Sequence, residues 1–198
     1  ASTAPVELLV VDNGSTDATA EEAKTAGAHV IREPRRGYGY ACAAGVAAVN
    51  DSDVVVFMDG DCSFSPSDLP SLLAPIFENR ADLVLGSRAR GTIARGSMPS
   101  HQRFGNWLVA RLMNRLYGLS ITDLGPYRAI RKSLLNELDM QEMTYKAARR
   151  GARIIEVPVS YHNRRFGKSK VSGTVRGTIL ATWFILGVTF RYAWKSRG

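Results

Sequence analysis

The sequence predicts an α/β fold whose sheet is mostly parallel and flanked by helices. Strand-like and helix-like segments alternate from Val6 to Val159, and no internal repeat or low-complexity tract interrupts them. Val54-Val55-Val56-Phe57-Met58 is a continuous apolar run of the kind buried on both faces of a parallel sheet. The chain has 198 residues, 45% hydrophobic and 22% charged, which is enough for one sizeable core and unlike a disordered or fibrous protein. One domain is expected over residues 1–173, with a distinct apolar, basic-flanked segment over 174–198.

Taken in order, Val6 to Val11 reads as a buried strand. Ser15 or Asp17 then caps a helix over Ala18 to Ala26, and Gly27 stops it. His29 to Arg32 is a short strand, and Tyr40 to Val49 a helix of small residues able to pack closely on a sheet. After the Val54 to Met58 strand, Ser65-Pro66 opens a helix, since serine suits the cap and proline the first helical position. A strand over Asp82 to Leu85, a helix over Arg103 to Tyr117 and a strand over Arg153 to Val159 follow.

The formal charge of +8 and a pI near 9.8 imply an anionic partner: nucleic acid, a phosphorylated small molecule or an acidic membrane face. The aromatic residues Trp183, Phe184 and Trp194 gather in the apolar tail instead of interleaving with basic ones, so no nucleic-acid partner is expected. Cys42 and Cys62 lack metal-ligand or redox spacing, which fits a reducing compartment. Ala1 to Ala4 show no signal-peptide pattern. Gly177 to Phe190 is apolar nearly all round and bracketed by Arg176 and Arg191, but shorter than the roughly 20 residues of a spanning helix. An interfacial segment, a homo-oligomer contact and the stub of a longer hydrophobic region all fit it.

The apolar run ends in Asp59-Gly60-Asp61. Residues two apart in extended chain project to one side, so both carboxylates can converge on one ion, while Gly60 lets a ligand approach the backbone. Hard oxygens suit Mg²⁺ or Mn²⁺, which take one or two carboxylates plus substrate phosphates. The plain alternative is an Asp-Gly turn. Asp51-Ser52-Asp53 has the same spacing but precedes the strand, whereas ligands of open α/β sheets bind beyond the carboxyl ends. Asp51 and Asp53 are therefore expected in a solvated turn. Asp12 ends an earlier strand at the same kind of edge and could accept from a base N–H or a ribose hydroxyl; Asp17 is read as a cap.

The motifs VVDNGSTDAT, RRGYGYACAAGVAA, FMDGDCSFSPSDL, GSRARG, TDLGPYRAI and RRFGKSKVSGT, in this order over about residues 6 to 175, resemble glycosyltransferase family 2, and within it the polyprenyl-phosphate (dolichyl-phosphate) sugar transferases. The resemblance implies a GT-A fold and inverting transfer of a sugar from a UDP- or GDP-sugar, with Mg²⁺ or Mn²⁺ on Asp59 and Asp61. It makes Asp12 the base-binding acid, Asp59 the acid facing ribose and metal with Gly60 beside it, and Arg36 and Gly37 part of a loop along the nucleotide. Some members carry glutamine two residues after the second acid, where this chain has Ser63. The resemblance also leads to two expectations of missing chain: a first strand before Val6, and several residues near Asp139 to Gln141.

Arg88 and Arg128 match arginines that face the acceptor phosphate, a role suited to the planar guanidinium fork; both are expected in loops after strands. Asp123 matches an acid near the reaction centre, although a turn cap would explain it too. Arg165, Lys168 and Lys170 form a basic loop able to cradle a lipid phosphate near an anionic membrane surface, while Arg164 is read as a solvated charge. Gly167-Lys168-Ser169 is not a P-loop, because the upstream glycine is absent. Glu142 occupies the candidate base position of members that act on hydroxyls; a phosphate acceptor, already ionised, needs no base. The expected acceptor is a polyprenyl phosphate and the expected location the cytoplasmic, inner face of a membrane, with a hydroxyl acceptor as the alternative.

Overall fold

The structure, a computed structural model, describes residues 5–138 and 143–165. It divides into two compact units, Ala1–Ser52 with Asp139–Gln141, and Asp53–Leu138 with Glu142–Gly198.

In the first unit β1 (Leu9–Asp12) and β2 (His29–Arg32) pair in parallel, Leu9 opposite His29 and Asp12 opposite Arg32. Helix α1 (Thr19–Thr25) connects them and α2 (Tyr38–Ala48) follows β2. The Asp17 carboxylate accepts from the Thr19 amide at 3.1 Å and so serves the start of α1. Ser15 instead turns its amide to Asp12. Gly27 ends the helix region at φ +87°, a left-handed conformation that costs glycine nothing. The small residues of α2 allow the expected close approach: a Cβ on Gly45 would stand 3.1 Å from Val11 Cγ2.

In the second unit the strand order is β3-β5-β4-β6, formed by Val54–Phe57, Arg128–Arg131, Leu83–Ile93 and Ile154–Tyr161 respectively. β4 and β6 are parallel, and β5 runs against both β3 and β4. Three of the sheet's four strands thus run one way and β5 runs against them, so two of its three ladders are antiparallel. That strand, Arg-Ala-Ile-Arg, escaped sequence analysis because it is four residues long and begins and ends with arginine. Arg128 therefore opens a strand and does not lie in a loop. Helices α3 (Leu69–Phe77, after a 3₁₀ turn Pro66–Asp68), α4 (Ser100–Tyr117), α5 (Lys132–Asn136) and α6 (Met143–Arg149) complete the unit. Glu142 lies outside the described residues, as do Lys168, Lys170 and the whole of 174–198. Among the described residues no helix is long and apolar enough to cross a membrane.

Leu72 and Ile76 of α3 are fully buried against Val84, Ala129, Val159, Tyr127 and Phe64, each such aliphatic side chain contributing about 1.5–3 kcal/mol. Asp82 pins the start of β4 to its neighbours. Hydrogen bonds from Arg153, at 3.0 and 2.7 Å, hold its carboxyl down at about 2, and Arg131 adds an ion pair at 3.3 Å.

β4 runs past the expected end at Leu85 to Ile93, which places Arg88 in a strand and not in a loop. Leu83–Ser87 pair with Ile154–Pro158, and Thr92–Ile93 with Ser160–Tyr161, so Arg88 to Gly91 bulge opposite Val159. Gly86 is packed too tightly for a side chain: a Cβ there would stand 2.9 Å from Val159 Cγ1 and 3.0 Å from the Tyr127 carbonyl. Gly86→Ala should therefore cost about 1–3 kcal/mol, seen as a lower thermal midpoint.

Candidate active site

β3 delivers Asp59 and Asp61 to its carboxyl end, as its apolar residues demand. Asp61 is held on both oxygens: Oδ1 accepts from the Ser63 amide at 2.9 Å, and Oδ2 pairs with Arg164 Nη2 at 2.7 Å. Burial, and then the charge of Asp61, push the Asp59 carboxyl above its usual range, against the pull of Arg164, Arg88 and Arg128. Among the described residues no heavy atom stands within 4 Å of where a Cβ on Gly60 would be. The Ser63 Oγ is buried with no hydrogen-bond partner among the described residues.

Arg164 corrects the expectation of a solvated charge. The chain beyond β6 runs beside the Asp61–Ser63 turn, with the His162 amide donating to the Ser63 carbonyl at 2.8 Å and that of Arg165 to the Asp61 carbonyl at 3.4 Å. This pairing carries Arg164 to Asp61, a partner more than 100 positions away in sequence. The Arg165 side chain is exposed.

Asp123 is fully buried and is no simple turn cap. Arg88 donates to it three times at 2.8 Å, from its backbone amide, Nε and Nη2. Burial alone would raise the Asp123 carboxyl, but the hydrogen bonds and charge of Arg88 overcome it and hold the group below its usual range. Glu156, a buried acid inside β6, accepts from the amides of Thr122 and Asp123 at 2.7 and 2.8 Å and from Thr122 Oγ1 at 2.9 Å. It fixes the loop that carries Asp123, a role hidden in sequence within a largely apolar strand. Gly125 closes on the same pair, a Cβ there meeting the Gly86 carbonyl at 3.1 Å and Arg88 Nε at 3.6 Å. The Arg128 guanidinium lies 5.6 Å above the Phe57 ring. A cavity of about 460 Å³ opens beside Asp123, bordered by Arg103, Asn106, Trp107 and Arg111 of α4.

The first unit holds the other candidates. Asp12 is buried at the end of β1, and the Ser15 amide, 2.8 Å from Oδ1, holds its carboxyl below the usual range, so at neutral pH it can only accept. Asn13 ties the strand ends together: Nδ2 donates to the carbonyls of Glu33 and Arg35 at 2.9 and 2.8 Å, and Oδ1 accepts from the Gly37 amide at 2.8 Å. Gly37 takes φ +143° at the start of α2. Arg36 lies against Gly14, whose missing Cβ would stand 3.4 Å from Arg36 Nε. The structure thus brings Asp12, Arg36 and Gly37 to one edge of this unit.

Asp59 and Asp61 suit a divalent cation: their donors are hard oxygens, and the Arg164 cation already stands at Asp61. Among the described residues no group of three or more His, Cys, Asp or Glu could hold a metal.

Residues 2–139 match the glycosyl transferase family 2 model. An undecaprenyl-phosphate mannosyltransferase of Micrococcus luteus is 33% identical, the match covering 94% of this chain and 84% of that protein. A dolichyl-phosphate hexose transferase of Haloferax volcanii is 35% identical over 88% and 77% of the two chains. Among solved structures, glucosyl-3-phosphoglycerate synthase from Mycobacterium tuberculosis in complex with Mn²⁺, UDP-glucose and phosphoglyceric acid matches with a TM-score of 0.62, at 26% identity over 89% and 68% of the chains. Fold and likeness together are those of a GT-A glycosyltransferase. The chain belongs to glycosyltransferase family 2.

Proposed function

We propose that this enzyme transfers a sugar, with inversion, from a UDP- or GDP-sugar to a polyprenyl phosphate at the anionic, cytoplasmic face of a membrane. The observation that carries this is the cationic setting of the carboxylate pair: Arg164 pairs with Asp61 at 2.7 Å, and Arg88 and Arg128 add their charge near Asp59. An acceptor phosphate and a donor diphosphate repel one another, and an enzyme joining them has chiefly to position both and screen that repulsion. Asp59 and Asp61 would hold Mg²⁺ or Mn²⁺, which when bound neutralises the diphosphate as it leaves. Asp12, Arg36 and Gly37 would receive the nucleotide. Arg88, oriented by Asp123, and Arg128 would receive the acceptor phosphate, with Arg165, Lys168 and Lys170 as an outer basic cradle. The cavity beside Asp123, with Arg103 and Arg111 on its border, suits an anionic head group. The likeness to polyprenyl-phosphate mannosyl- and hexosyltransferases supports the same acceptor class.

The test is a panel of UDP- and GDP-sugars incubated with Mn²⁺ and either polyprenyl phosphate, the corresponding polyprenol or a soluble hydroxyl acceptor. Transfer to the phosphate alone is expected, with Glu142→Gln retaining activity within about threefold because an ionised acceptor needs no base. Transfer to a hydroxyl that Glu142→Gln abolishes would replace this function with the hydroxyl-acceptor one.

A further inference from the structure

We propose that Arg164 is a resident counter-ion of the Asp59–Asp61 pair, which yields Asp61 to the incoming divalent cation and passes to the diphosphate of the nucleotide. The proposal rests on Asp59 and Asp61 binding a metal together with a nucleoside diphosphate, as proposed above, and adds a residue that reports the arrival of both. Three features support it. Arg164 Nη2 stands 2.7 Å from Asp61 Oδ2, so the oxygen a cation would use already carries a positive partner. The Arg164 side chain is 36% exposed and that of Asp61 13%, so the arginine can swing out while the carboxylate stays. The backbone beside them is held independently of that ion pair, through the His162–Ser63 and Arg165–Asp61 hydrogen bonds.

The charge balance favours such an exchange. Asp59, Asp61 and Asp123 face Arg88, Arg128 and Arg164, so the protein's own charges nearly cancel. A divalent cation on Asp61 leaves the site with two surplus positive charges and Arg164 without its anion. A diphosphate supplies the missing negative charge, and a guanidinium released a few ångströms away can fork onto its oxygens. Metal alone must therefore compete with Arg164, whereas metal with nucleotide is assisted by it.

The test is Mn²⁺ titration of the full chain, followed by electron paramagnetic resonance of the free ion, with and without UDP or GDP. Wild type is compared with Arg164→Gln and Arg164→Lys. Without nucleotide, Arg164→Gln is expected to bind Mn²⁺ about fivefold more tightly than wild type, because the competitor is gone; with nucleoside diphosphate it should bind about fivefold more weakly. Arg164→Lys should show the same two signs with smaller size, and it decides the matter if circular dichroism shows the glutamine variant unfolded. Shifts of one sign in both conditions, or none in either, would overturn the counter-ion role while leaving the metal site standing. Wild type that takes up no Mn²⁺ with either nucleotide would remove the metal site itself, and the exchange with it.

Discussion

Asp61→Asn is expected to lower kcat/KM for sugar transfer by about a thousandfold or more and to remove Mn²⁺ binding in the presence of the nucleotide. Asparagine has nearly the same shape and keeps an oxygen for the Ser63 amide, so the turn survives while the charge that would hold a cation is lost. The ion pair with Arg164 disappears in the same change. Steady-state kinetics and calorimetric metal titration read the two effects separately. Asp51→Asn, an exposed acid with the same spacing at the other end of the strand, should change neither. Full activity of Asp61→Asn without added metal would defeat the assignment of the pair.

Arg88→Ala should destabilise the fold by about 3–5 kcal/mol, because it leaves the fully buried Asp123 carboxylate without its cation. At roughly 2–4 °C per kcal/mol for a chain of this size, the thermal midpoint falls by about 10 °C. Replacing both partners, as in Arg88→Met with Asp123→Leu, removes the stranded charge and should restore much of that loss. The pair also predicts an acid limb. The Asp123 carboxyl is depressed in the folded state, so its stabilisation is complete above the ordinary value of 3.8 and is lost as pH falls through the lower folded value. Wild type should lose stability in that range more steeply than Asp123→Asn, which carries no titrating group; melts between pH 6 and about pH 3 test this. Equal slopes would mean that Asp123 is not the titrating partner.

Elements whose apolar pattern matches their burial were legible in sequence. The run Val54 to Met58 reads as a strand ending in a carboxylate pair, and β3 runs from Val54 to Phe57 with that pair just beyond it. The expected burial on both faces does not hold, because β3 lies at the end of its sheet, paired antiparallel with β5, with only Val55 buried and Met58 43% exposed. The stop at Gly27 and the Ser65-Pro66 helix start are local hydrogen-bond and backbone effects that lie where their residue types indicate, while Asp17 receives the Thr19 amide from one position before the N-cap, Ala18. What escaped depends on partners distant in sequence. Arg164 looks like any surface arginine until β6 carries it to Asp61. Glu156 looks out of place in a strand until the Thr122 and Asp123 amides are seen to need an acceptor. Ser87-Arg88-Ala89-Arg90 looks like a loop because its polarity breaks the apolar run, although the parallel ladder resumes at Thr92.

The interruption of that ladder has a bearing on how such an enzyme could diversify. Leu83–Ser87 is locked to β6 on one side of the bulge and Thr92–Ile93 on the other, so each half keeps its alignment without reference to the other. Ala89 to Gly91 act as a spacer, and Ala89 borders the cavity beside Asp123. Changes in the bulk of Ala89 could reshape the wall of that cavity while the Arg88–Asp123 clamp remains where Ser87 and Glu156 have put it, whereas Gly91 must stay bare because a Cβ there would overlap the Val159 backbone. Within one ladder, the wall of the cavity and the Arg88–Asp123 pair are separately adjustable.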